Sequence, residues 1–124
     1  MHHLTEWIAT MALSAQDVVL LEDCLDDWHG LWEVAWMKPQ LSVVERSASV
    51  SRLVELGLLE VLRITEWSQA RDAAPLSSKE ALAAVSETAH YAPPANNSSE
   101  PFFALSTTDG GEAAVEAWIR QTRA

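Results

Sequence analysis

Residues 42–67 read SVVERSASVSRLVELGLLEVLRITEW, and the fold is decided there. Ser42 followed three positions later by Glu45 is a capping box, which marks the start of a helix. Val50, Leu53 and Val54 then share one helical face. Gly57 stands where that helix ends, because a glycine takes the left-handed conformation without a Cβ clash. From Leu58 to Trp67 the composition turns to Leu, Val, Ile, Thr and Trp, which reads as a strand. A helix, a glycine turn and a strand therefore follow one another directly.

Upstream, Leu4, Trp7, Ile8 and Met11 predict a short amphipathic helix near residues 4–12. Ser14 and Asp17 form a second capping-box-like pair. Val18, Leu21, Leu25, Trp28 and Trp32 recur in steps of three and four, and Trp36 continues the stripe. The stripe reads as core, with one or two of the six tryptophans of the chain left for an interface. Glu22, Asp26 and Glu33 lie to one side of it, with Asp23 and Asp27 further round. Gly30 costs about 1 kcal/mol in a helix interior, so it predicts either a break into two helices or a weak point. Pro39 disfavours helical backbone at Lys38 and ends the segment.

Downstream, Ser68–Pro75 reads as a polar turn, and Ser77 with Glu80 opens a helix carrying Leu82 and Val85. Residues 92–101 read as loop from their prolines, asparagines and serines. Phe102–Thr107 reads as a second strand. Thr108 and Asp109 cap a last helix that buries Ala114, Val115, Trp118 and Ile119. The sum is one α+β domain over 1–124, mainly helical, with five to six helices and two antiparallel strands. Its parts are an N-terminal helix in 1–13, a helical core and first strand in 14–67, an insertion with one helix in 68–101, and a second strand and C-terminal helix in 102–124.

Charge separates the function classes. The net charge is -10, which argues against a general polyanion binder, since phosphate contacts need clustered Lys and Arg. Residues 1–37 carry seven acids and no base, whereas residues 38–71 carry five bases against four acids. The single cysteine leaves no intrachain disulfide and fits a reducing, cytoplasmic compartment. The start of the chain lacks the basic-then-apolar pattern of a secretion signal, and no apolar run reaches the length of a membrane span. Cys24 and His29 stand about 140° apart on a helix and cannot pair as nucleophile and base. Asp26 and Asp27 diverge by about 100° and do not share a substrate. No ligand set with metal spacing and no phosphate loop occurs, so no enzyme, metal or cofactor is expected.

Two stretches carry a resemblance. Ser51-Arg52-Leu53-Val54-Glu55-Leu56-Gly57-Leu58-Leu59 looks like the end of a recognition helix running through its glycine turn into a wing strand. Phe102-Phe103-Ala104-Leu105-Ser106-Thr107-Thr108-Asp109-Gly110-Gly111 looks like the second wing strand and its turn into a following helix. With the order of elements from residue 14 onward, the chain resembles the winged helix-turn-helix superfamily of MarR- and PadR-like regulators. The wing connection, residues 68–100, is long for that family and contains a helix of its own. The resemblance implies a helical core covered by a β-hairpin and, in a DNA-binding regulator, contacts from Arg46, Ser47, Ser49 and Arg52. It also implies a homodimer joined through the helices around Trp7 and Trp118.

Charge favours a different use of that scaffold. The acidic face of Glu22, Asp23, Asp26, Asp27 and Glu33 predicts a protein-binding module for a basic partner, of the immunity or inhibitor type. The DNA-binding regulator is the alternative, and the acidic balance weighs against it.

Overall fold

A computed structural model describes residues 13–94 and 100–122. The expected helix at 4–12, and Trp7 with it, lie outside the described residues. Helix α1 (Ala15–Asp26) starts on the predicted capping box: Ser14 Oγ accepts from the Asp17 amide at 3.1 Å, and the Asp17 carboxylate accepts from the Ser14 amide at 3.1 Å. The helix ends earlier than its hydrophobic stripe does. Asp27 is extended, and its Oδ1 takes the Trp28 N–H at 2.8 Å, so the side chain captures an amide that a continuing helix would use. His29–Gly30 then form a two-residue strand, β1. A 3₁₀ turn (Leu31–Glu33) and the single-turn helix α2 (Val34–Met37) follow, and α2 stops at Lys38 ahead of Pro39.

The predicted helix, glycine turn and strand form in that order, with the strand shorter than the Leu58–Trp67 expected. Ser42 caps α3 (Val43–Glu55) in a reciprocal box with Glu45. Gly57 has φ +75, which lets the chain turn sharply into strand β2 (Leu59–Ile64). The connection after β2 holds a 3₁₀ turn (Trp67–Gln69), helix α4 (Ser78–Ser86) and a second 3₁₀ turn (Thr88–Tyr91). Strand β3 (Phe102–Thr107) and helix α5 (Asp109–Thr122) complete the described chain.

The described residues thus form an α+β fold of five α-helices and one antiparallel sheet. The sheet corrects the expected hairpin: it has three strands in the order β1-β3-β2. β3 is central, pairing Leu59↔Thr107 through Ile64↔Phe102 on one side and His29↔Leu105 and Gly30↔Ala104 on the other. The free edge of β3 takes up the segment in which Gly30 weakens helix.

Alternation along the strands makes two apolar layers. Leu59, Val61 and Leu105 face the main core, where they meet Leu20, Leu21, Leu31, Val34, Val50, Leu53 and Val85. Leu62, Ile64 and Ala104 face the other side and form a smaller cluster with Ala70, bordered by Trp28 and Phe102. The tryptophan stripe is therefore not one buried seam. Trp28 and Trp32 are half-buried, whereas Leu25 is exposed and Trp36 is 72% exposed. In α1 the buried positions are Val18, Leu20, Leu21 and Cys24 beside Asp17. Trp118 packs partly buried against the main core of its own chain. Among the described residues no helix is long and apolar enough to cross a membrane.

Candidate functional site

The end of α1 and the start of β1 bring acid and aromatic side chains together. Glu22, Asp26 and Asp27 are exposed, while Asp23 is half-buried. Glu33 leaves the helical face expected for it, because the chain breaks before it. Its Oε2 accepts from the Gly30 amide at 2.6 Å and lies 3.2 Å from His29 Nδ1. Five residues of this region, Asp27, Trp28, His29, Trp32 and Glu33, line an open cavity of about 430 Å³ with Trp67. Asp27 and Trp28 also line a neighbouring cavity of about 180 Å³ with Cys24, Leu25, Asp26 and Ser106. Asp26, Asp27 and the aromatic cavity are thus one continuous surface.

The rings of Trp32, Trp67 and Phe102 pack against one another at inclined angles. Trp32 and Trp67 have centroids 6.1 Å apart and planes inclined at 58°. Phe102 backs both, at 5.4 Å from Trp32 and 5.1 Å from Trp67, in tilted and edge-on contacts that aromatic quadrupoles favour. Gly30 permits this packing, since a Cβ there would fall 2.3 Å from the Trp32 ring. Composition places Trp67 at the end of a strand, yet it belongs to the 3₁₀ turn after β2 and is 42% exposed. Its meeting with Trp32 depends on β3 sitting between their strands, which no local pattern encodes.

The four candidate DNA contacts take a different place. Ser47 is buried and donates to the Val85 carbonyl at 2.7 Å, where the Tyr91 hydroxyl also donates at 2.7 Å. The expectation that Ser47 faces outward is therefore corrected: α4 and its following turn pack over that side of α3. Arg46 Nε donates to the Lys38 carbonyl at 3.1 Å. Ser49 donates to Asp17 Oδ1 at 3.2 Å, and Arg52 pairs with Asp17 Oδ2. Three of the four side chains hold α3 to the segment before it or to α1, and Ser47 holds it to α4.

Asp17 is the hub of that network. It is buried, and Lys38, also buried, reaches Oδ1 at 2.6 Å and Ser49 Oγ at 2.8 Å. Burial pushes the Asp17 carboxyl up, but the Lys38 and Ser14 hydrogen bonds and the charges of Lys38 and Arg52 outweigh it and hold the group below the usual carboxylate range. Cys24 is buried, and its thiol is pushed up to about 12, first by burial and then by the charges of Asp23 and Glu33. It is a core residue and not a reactive one. Among the described residues no group of three or more His, Cys, Asp or Glu is placed to hold a metal ion. No family model matches the chain, and neither a curated protein nor a solved structure matches it.

Proposed function

We propose that this chain is a non-enzymatic, acidic protein-binding module on a winged-helix-like scaffold, of the inhibitor or immunity type, that receives a basic partner. The observation that carries the reading is the continuity of exposed Asp26 and Asp27 with a cavity walled by Trp28, Trp32 and Trp67, without a Lys or Arg in its lining, and with exposed Glu22 one helical turn before Asp26. Exposed carboxylates steer a cationic partner, and large aromatic side chains supply the desolvated contact on which affinity depends. The scaffold is supported by the order of helices and strands and by the glycine turn at Gly57. A cytoplasmic, reducing setting agrees with a single thiol that is buried. Binding through α3 to DNA has less support, because Ser47 is buried and Arg52 is held by Asp17.

The test compares two variants of equal charge. Glu22→Gln/Asp26→Asn/Asp27→Asn (the α1 variant) removes the exposed acids of α1 and its C-cap, and Glu55→Gln/Glu112→Gln/Glu116→Gln removes three exposed acids of α3 and α5. Binding to polyarginine is followed by calorimetry at low salt. The α1 variant is expected to lose about tenfold or more in affinity and the other variant much less. Equal losses would mean that net charge alone attracts the probe, and the proposed face would fall.

A further inference from the structure

We propose that the cavity formed by Trp28, Trp32 and Trp67 is a cage for a methylated ammonium cation. The inference deepens the basic-partner reading and rests on it only for the sign of the ligand. Three indoles line an opening of about 430 Å³, and the carboxylates of Asp27 and Glu33 stand in the same wall. Aromatic faces carry negative potential and attract a cation lying over them. The cavity has the size of a small-molecule site.

The balance of aromatic surface against acceptors decides which cation fits. Asp27 Oδ1 is occupied by the Trp28 amide, and Glu33 Oε2 by the Gly30 amide with His29 beside it. One oxygen of each carboxylate is thus engaged, so the two groups bring charge with part of their acceptor capacity already spent. A primary ammonium is strongly hydrated and needs acceptors to replace its water. A trimethylammonium group has no N–H to satisfy and presents methyl groups to the indole faces. Two partly engaged carboxylates among three indoles offer charge and aromatic surface but few acceptors for three N–H donors, which favours the methylated cation. The group has two sources, a methylated lysine of a protein or a free quaternary amine.

The test follows the indole N–H resonances of the full chain by NMR during titration. The probes are choline, its neutral isostere 3,3-dimethyl-1-butanol, and a short basic peptide carrying either lysine or trimethyllysine. Saturable shifts with choline or with the trimethyllysine peptide, about tenfold tighter than with the isostere or the unmodified peptide, are expected. Trp67→Ala is expected to weaken binding about tenfold. Trp67 is 42% exposed, so its loss leaves the main core in place. Asp27→Asn keeps an acceptor for the Trp28 amide and removes the charge, and it is expected to weaken the cation while the free protein keeps its melting temperature.

Tighter binding of choline names a free amine as the source, and tighter binding of the peptide names a protein. Equal binding of the neutral isostere, equal binding of the unmodified peptide, or no shift with any cation at tens of millimolar would overturn the cage. Polyarginine binding that still depends on the α1 acids in that last case would leave the basic-partner reading standing.

Discussion

At the scale of single residues, Asp17 does two jobs, and the sequence announces only one. Its capping role follows from its distance to Ser14 and was legible. Its role as counter-ion to Lys38 and Arg52 joins positions 21 and 35 residues away and leaves no local trace. Asp17→Asn strands the buried Lys38 ammonium and is expected to cost about 3–5 kcal/mol in urea unfolding. The double change Asp17→Asn/Lys38→Met is expected to recover a large part, because no uncompensated charge is then buried. The wild-type advantage over Asp17→Asn follows from proton linkage. The folded carboxyl titrates below the unfolded value of 3.8, so its contribution is full above that value. As the pH falls further, the unfolded chain takes up the proton first, and the contribution disappears through the folded pKa. Unfolding free energies of the two proteins measured from pH 7 down to pH 2 should therefore converge at the acid end. Cys24 gives a second check: a thiol pushed up to about 12 and buried should resist alkylation at pH 8 in the native state and react on unfolding.

At the scale of elements, the capping boxes, Gly57, β2 and β3 were all readable, because each is set by neighbours within four residues or by strand composition. The segment 27–36 was not. Its tryptophans keep helical spacing, yet the capture of the Trp28 amide by Asp27 and the open edge of β3 divert the chain into β1. Period alone cannot weigh a helix against a strand partner that arrives 74 to 76 residues later, as Gly30↔Ala104 and His29↔Leu105 do. The same diversion creates the aromatic cavity, so the site was missed for the reason that the third strand was missed. Gly30→Ala is expected to drive the Trp32 ring from its place, since the new Cβ would lie 2.3 Å from it. A loss of about 1–3 kcal/mol is expected, as for other overpacked sites. Altered Trp32 and Trp67 indole resonances should accompany it. Gly111→Ala meets backbone instead, the Leu58 carbonyl oxygen at 2.3 Å, and α5 would have to shift from the α3–β2 turn. Thermal unfolding should show a loss at the upper end of the same range.

At the scale of the whole molecule, folding sharpens the charge asymmetry visible in the chain. The segment 38–71 holds the only excess of bases, but Lys38 is buried on Asp17 and Arg52 is also drawn to it. That segment thus has less free positive charge on the surface than its composition implies, while Glu22, Asp26 and Asp27 remain exposed. A net charge of -10 on 124 residues repels itself in the compact state. Raising the salt from about 0.01 M to about 1 M shortens the screening length from about 30 Å to about 3 Å. The exposed repulsion is then screened, whereas the buried Asp17–Lys38 attraction is screened much less. The melting temperature at pH 7 is therefore expected to rise by about 3 °C or more in sodium chloride. The α1 variant Glu22→Gln/Asp26→Asn/Asp27→Asn, which has already lost part of the repulsion, should rise less. A melting temperature that falls with salt would mean that exposed attractive pairs outweigh the repulsion. It would also weaken the case for the acidic face as a region of uncompensated potential. The same potential predicts no mobility shift of duplex DNA at low salt, where electrostatic attraction to phosphate would be strongest. A shift abolished by Arg46→Ala would instead place DNA on α3 and reverse the assignment of the functional surface.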